Sequence, residues 1–229
     1  MKDIPGWLTP HEGVFLSKAA KSLRAGGAIV EIGSFQGKST ICLAQSGEKV
    51  YAIDPHKGVV SGTKTSPTFS KFKKNISEAK VDSLVIPIVK TSQEAAKGWK
   101  KPIKFLFIDG LHDRDHALED FFLWSAHVTP GGMIAMHDAF CGWRGSGDVA
   151  MRHMVYSVDF SQIGVVGSII FGVKGKVFGL GRIDKLRNEL MIELCQSIYR
   201  VPWIPRGLAF ILVHRFLRIF LVNRFTSFG

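Results

Sequence analysis

The chain reads as an α/β protein: a doubly wound sheet, mostly parallel, with an antiparallel hairpin strand near its end and basic, apolar helices after it. Three observations predict this. Short apolar runs alternate with segments of helical period from residue 10 to about residue 158, the pattern of a parallel sheet covered by helices on both faces. Residues 160–175, "FSQIGVVGSIIFGVKG", read as a hairpin of two further strands. Near residue 182 the composition shifts to helical patterns with Arg and long apolar runs. The 229 residues therefore divide into a domain over 1–181 and an appendage over 182–229.

Taken in order, residues 11–25 form an amphipathic helix with Val14, Phe15, Leu16, Ala19, Ala20 and Leu23 on one stripe. "GGAIVEIG" is a buried strand, and "KSTICLAQSG" a helix ending near Gly47. "KVYAIDPH" is the second strand. A loop rich in Gly, Ser and Thr covers 57–68, and a basic helix runs on through Lys80. "SLVIPIVK" is a third strand, "SQEAAKGW" a short helix, "IKFLFIDG" a fourth strand and "DHALEDFFLWSAHV" a helix. "PGGMIAMHD" supplies a turn and a fifth strand, and "DVAMRHMVYSV" a helix before the hairpin.

Composition narrows the partners. The net charge is +11 and the pI about 9.7, which favours nucleic acid, an acidic membrane surface or an anionic substrate. Cys42, Cys141 and Cys195 are far apart, with neither metal-ligand spacing nor a disulfide framework, so a reducing compartment is expected. "MKDIPGWLTPHEG" has no apolar core of a signal peptide, so a cytoplasmic location is expected.

The loop after the first strand, "EIGSFQGKST", carries the first functional signal. In open α/β sheets ligands bind beyond the carboxyl ends of the strands, and glycines let backbone approach them. Only Gly33 and Gly37 occur here, so the dinucleotide fingerprint is absent. The phosphate-loop motif is absent too, because Ile32 stands where it needs Gly. A wide loop of this kind suits a ligand without phosphate, such as an adenosine carrying an amino acid; the other reading is a plain strand-to-helix turn. The second strand ends in Asp54, about 20 residues on, where an acid takes the hydroxyls of a ribose. The two features together favour a nucleoside.

With these residues the chain resembles a known family. "VEIGSFQGKSTICLA" followed by "VYAIDPH" is similar to the first two motifs of class I S-adenosylmethionine-dependent methyltransferases, which have a Rossmann-like fold. "KTSQEAA" resembles the adenine-side segment of catechol-type O-methyltransferases. "FLFIDGLHDRDHALEDFFLW" and "VTPGGMIAMHD" resemble the fourth and fifth strands of small-molecule and sugar O-methyltransferases, including macrocin and cephalosporin-cluster types. The match spans residues 10–173. It implies a cofactor site of Glu31, Gly33, Ser34, Phe35, Gly37 and Ser39 at the methionine end, Asp54 at the ribose, and Ser92 and Gln93 at the adenine, with Asp109 beside them.

Methyl transfer displaces an activated methyl group in line, and an alcohol acceptor gains from a base or a metal. The resemblance places Asp109, His137 and Asp138 at the positions that hold Mg²⁺ or Mn²⁺ in metal-dependent relatives. His137 departs from their pattern, since an oxygen ligand is usual there and Mg²⁺ prefers oxygen. His112 occupies the position of a catalytic Lys, so the expected catalytic set is His112, Asp109 and His137. The alternatives are structural: His112 capping a helix or binding Asp109, and His137 bridging backbone at the strand end. Asp115, Glu119 and Asp120 read as helix-start and surface acids. His11, His116, His127 and His153 carry no motif, and His56 lies beside Asp54 within reach of an adenosine. Residues 57–69 suit a loop that closes over the site, and Trp143 and Arg144 either line an acceptor pocket or are a packed Trp and a solvated Arg.

Residues 200–229 contain five arginines and no acid. "GLAFILVHRFLRIFLV" is apolar but broken by His214, Arg215 and Arg218, too short and too charged for a spanning helix. A helix lying on an anionic membrane through residues 200–225, with Trp203 as anchor, fits this composition; packing on the domain or on a second copy is the other reading. The expected acceptor is the hydroxyl of a small molecule or glycan, including a lipid-linked sugar. An RNA methyltransferase is the competing reading, and it lacks the motif for base amines and an RNA-binding module. A non-catalytic membrane adaptor that keeps the fold is a third, and a dehydrogenase a distant fourth.

Overall fold

A computed structural model describes residues 4–60, 63–64, 66–139 and 144–176, and eight positions between 186 and 201. The expectations for Trp143, for the Arg144 side chain and for the basic apolar tail lie outside the described residues.

The chain opens with helix α1 (Pro10–Ser22), capped by Thr9, whose side chain accepts from the Glu12 N–H while the Glu12 carboxylate accepts from the Thr9 N–H. The period of α1 buries Glu12, Gly13, Phe15, Leu16, Ala19 and Ala20. Val14 was expected on this stripe but is 56% exposed, being one residue off the i, i+3, i+4 set. Strand β1 (Ala28–Ile32), helix α2 (Lys38–Ala44) and strand β2 (Val50–Ile53) follow. The loop after β2 contains a two-stranded hairpin, β3 (Val59–Val60) with β4 (Thr63–Lys64), then helix α3 (Phe69–Glu78). Strand β5 (Val85–Ile88), helix α4 (Ser92–Ala96), strand β6 (Ile103–Ile108), helix α5 (Arg114–Ser125) and strand β7 (Val128–Met136) continue the alternation. Helix α6 (Arg144–Ala150) passes into a π-helical turn (Met151–Val155) before β8 (Phe160–Val166) and β9 (Ile169–Lys174).

The sheet order is β5-β2-β1-β6-β7-β9-β8. Strands β5, β2, β1, β6 and β7 run parallel. The hairpin adds the antiparallel edge that its sequence suggested: β9 pairs antiparallel with both β7 and β8, and β8 is the outermost strand. Burial explains the choice. Ile169, Ile170 and Phe171 are all buried, which suits a strand paired on both sides, whereas β8 exposes Gln162.

Every residue of β6 is buried, as a central parallel strand requires. Phe105 and Phe107 enter the core under α1, α2 and α3, while Ile103, Leu106 and Ile108 enter the one under α5 and α6. Lys104 is buried in the same strand, and its ammonium pairs with Glu48.

The order of strands reverses beside β1, with β2 on one side and β6 on the other. A crevice opens there at the carboxyl ends. Gly33 makes the geometry possible. Its φ is +87°, and a Cβ there would stand 2.1 Å from the Asp109 carbonyl oxygen. Substitution Gly33→Ala is expected to cost more than about 3 kcal/mol, because the left-handed backbone and the backbone collision add. Chemical denaturation of the two proteins measures it; a loss under about 1 kcal/mol would contradict this account.

Candidate active site

A cavity of ≈ 890 Å³ occupies this crevice. Its walls come from the segment before α1, the ends of β1, β2, β6 and β7, the start of α4 and Ser168 in the β8–β9 turn.

At one end lies the loop after β1. Ser34, Phe35 and Ser39 line the cavity, and Gly33 lies between them and Asp109. Asp54 closes the loop from β2: its Oδ2 accepts the Phe35 N–H at 2.8 Å and its Oδ1 the His56 N–H at 2.6 Å. Each oxygen keeps a further lone pair, so the carboxylate can still accept hydroxyls from the cavity. Ser34 is buried, and its hydroxyl has no hydrogen-bond partner among the described residues.

Three residues expected at a ligand do other work. Gly37 is not in the cavity wall; it starts α2 at φ +89°, and a Cβ there would press on Phe72 and Ile76 of α3. Glu31 is wholly buried behind the loop, where it accepts from the Thr40 hydroxyl. Burial pushes its carboxyl up to about 8, against the pull of hydrogen bonds from Ser39 and Thr40, so it is largely neutral at pH 7. His56 is buried with φ +51°, its Nδ1 at 2.8 Å from the Thr68 hydroxyl and its ring against Phe69 and Phe72. It is therefore a packing residue, turned from the cavity it was expected to reach.

The middle of the cavity is a chain of acids and imidazoles at the ends of β6 and β7. His137 Nδ1 lies 3.1 Å from Asp109 Oδ1 and 3.3 Å from Asp138 Oδ1. On the far side of Asp138, its Oδ2 lies 3.2 Å from His112 Nε2. The second nitrogen of His137 faces Glu12 Oε2 at 3.6 Å. Asp138 reaches both histidines through a left-handed backbone, φ +54°, which Asp tolerates better than most residues. Burial disfavours a charged His137, but Asp109, Asp138 and Glu12 more than reverse this and hold its pKa well above the usual value. Burial likewise raises Glu12, yet His137, Thr9 and Ser168 bring it down to about 2.

Asp109, His137 and Asp138 each offer one ligand atom, all within 4.8 Å of one another. Neither His137 nitrogen has an aligned hydrogen bond among the described residues, although oxygens surround the ring. Converging oxygens, an imidazole nitrogen without an aligned partner and an excess of negative charge suit a divalent cation.

At the other end, Ser92 and Gln93 start α4 and line the wall. Ser92 Oγ accepts from Trp124 Nε1 at 2.8 Å, and Gln93 Nε2 donates to Glu119. Asp120 was read as a surface acid, but it is 5% exposed, hydrogen-bonded to Ser92 and part of the wall. It lies one helical turn and a half into α5, on the face with Ala117, Phe121 and Trp124. Glu12 was also missed. Its capping-box spacing, Thr9-Pro10-His11-Glu12, announces a helix start but says nothing of a second partner.

Residues 30–139 match the family described as "Methyltransferase domain". Solved structures share the fold. A cofactor-bound protein from MTB, Rv0187, is 16% identical with a TM-score of 0.61, covering 76% of this chain and 84% of its own. An O-methyltransferase from Bacillus cereus, in complex with SAH, is 20% identical with a TM-score of 0.56, covering 76% and 86%. TomG from Streptomyces achromogenes, an O-methyltransferase involved in tomaymycin synthesis and solved with SAM, is 18% identical with a TM-score of 0.58, covering 74% and 82%.

Burial raises the Asp120 carboxyl to about 6, only partly opposed by Ser92. A carboxyl raised on folding costs no stability below its unfolded value, near 3.8, and costs progressively more as pH climbs to about 6. Asp120→Asn is therefore expected to be more stable than the parent at pH 7, by at most about 3 kcal/mol, with the gap closing near pH 4. Urea denaturation at both pH values measures this; a gap that widens toward pH 4 would reverse the sign.

Proposed function

We propose that this class I S-adenosylmethionine-dependent methyltransferase domain methylates a hydroxyl of a small molecule or glycan, a lipid-linked sugar included. One observation carries the reading. A single cavity joins the Asp54-closed loop, suited to a nucleoside carrying an amino acid, to the His112–Asp138–His137–Asp109 chain, suited to a reacting hydroxyl.

Asp54 holds the ribose hydroxyls, and the Ser34 and Ser39 hydroxyls meet the polar methionine end. Ser92, Gln93 and Asp120 form the wall on the adenine side. The bound cofactor supplies a sulfonium-activated methyl group, whose bond to sulfur breaks as the bond to the acceptor oxygen forms. His112 takes the acceptor's proton; Asp138, against His112 Nε2, orients the ring and stabilises the imidazolium. Asp109, His137 and Asp138 would hold Mg²⁺ or Mn²⁺, which supplies Lewis acidity toward the hydroxyl. The nitrogen ligand favours Mn²⁺ of the two. The basic apolar segment 200–225 would bring the domain to an anionic membrane surface, where an amphiphilic acceptor resides. Among the described residues no helix is long and apolar enough to cross a membrane.

Calorimetric titration of S-adenosylmethionine and S-adenosylhomocysteine tests the cofactor. Saturable binding is expected, weakened at least tenfold in Asp54→Ala, and no binding with or without Mn²⁺ would overturn the reading. Transfer of labelled methyl to a panel of glycans and lipid-linked sugars tests the acceptor. In His112→Ala, cofactor affinity is expected to hold while turnover falls about 10²- to 10⁴-fold. Cofactor binding with no transfer to any hydroxyl would favour a non-catalytic adaptor.

A further inference from the structure

We propose that Glu12 is a positioning residue for His137, its carboxylate holding the ring so that Nδ1 is the nitrogen offered to a cation between Asp109 and Asp138. The inference rests on the reading of Asp109, His137 and Asp138 as a cation site.

Glu12 is 1% exposed and lies in the cavity wall, although it comes from α1 and not from the sheet. Four donors fix its carboxylate. Oε2 accepts the Thr9 N–H at 2.7 Å and hydroxyl at 2.8 Å. Oε1 accepts the Ser168 N–H at 2.7 Å and hydroxyl at 2.8 Å. The two anchoring segments, the start of α1 and the β8–β9 turn, are brought together only by the fold. The turn has no room to spare: a Cβ on Gly167 would stand 2.3 Å from Glu12 Oε1. The carboxylate therefore cannot swing away from the imidazole.

Its place opposite His137 has a chemical consequence. A fixed anion at Nε2 favours a proton on Nε2. A cation that displaced the Nδ1 proton would then meet the Nδ1 lone pair where Asp109 Oδ1 and Asp138 Oδ1 converge, while Nε2 kept its proton against Glu12. The opposite tautomer would aim an N–H at that point and exclude the cation. A purely structural role, tying α1 to the β8–β9 turn, would use the same four donors but would be indifferent to the state of His137.

The test uses the full chain, labelled with ¹⁵N at histidine, with Mn²⁺ alone as calorimetric probe and Zn²⁺ as diamagnetic probe for the ring nitrogens. In the parent chain His137 is expected to carry its proton on Nε2 when Zn²⁺ is bound. Glu12→Gln is expected to weaken Mn²⁺ binding about 10- to 100-fold. It should also displace the His137 ring-nitrogen shifts, while S-adenosylhomocysteine affinity stays within threefold. Ser168→Ala, which removes only the hydroxyl donor on Oε1, is expected to keep both Mn²⁺ affinity and ring shifts. A folded Glu12→Gln with unchanged Mn²⁺ affinity and unchanged ring shifts overturns the proposal. If Glu12→Gln does not fold, Glu12→Asp keeps the charge, withdraws it by one methylene and carries the same expectation. If the parent chain binds S-adenosylhomocysteine but neither metal, the cation reading fails. The positioning role falls with it, and the retained S-adenosylhomocysteine binding separates that outcome from a failure of the methyltransferase reading.

Discussion

Strands β1 and β6 end side by side, and the chain must turn away from β1 across the backbone of β6 with no room for a side chain. That approach, at Gly33 over the Asp109 carbonyl, sets the rest of the site. It brings the loop that Asp54 closes within one cavity of the acids at the ends of β6 and β7. It also starts α2 at the angle that lets Gly37 pack under Phe72 and Ile76. The glycines serve the packing of backbone and neighbouring helix, and the cavity is its result.

A second constraint is electrostatic. Three carboxylates, Glu12, Asp109 and Asp138, face one buried imidazole at His137. Buried polar groups are costly unless hydrogen bonds and opposite charge answer them. Thr9 and Ser168 answer Glu12, and His137 is shared by all three. The arrangement couples the first helix, two central strands and the last hairpin through a single ring.

Two other buried acids are tuned in the opposite sense. Glu31 and Asp120 are buried without a cationic partner close enough to offset desolvation, and both rise, to about 8 and about 6. Asp54, which the same sheet places nearby, accepts two backbone N–H groups. Burial and hydrogen bonding thus give similar side chains different surroundings around one crevice.

By itself the sequence determined the alternation of strands and helices, their order and some of the residues that line the cavity. Those features are local: apolar periodicity writes the elements, capping patterns such as Thr91-Ser92-Gln93-Glu94 write helix starts, and an acid at a strand end stays at that end. Asp54, Asp109, His112, His137 and Asp138 were legible for that reason, since parallel strands all deliver their carboxyl ends to one edge. Tertiary structure alone decided which residues reach the cavity from other directions. Glu12 arrives from a helix far from the site in sequence, Asp120 turns inward from α5, and Glu31, Gly37 and His56 turn away. The interior position of β9 was equally hidden, because a hairpin's sequence specifies its own pairing but not which of its two strands joins the sheet. Such outcomes depend on contacts between distant segments, and no local pattern encodes the partner that another part of the chain supplies.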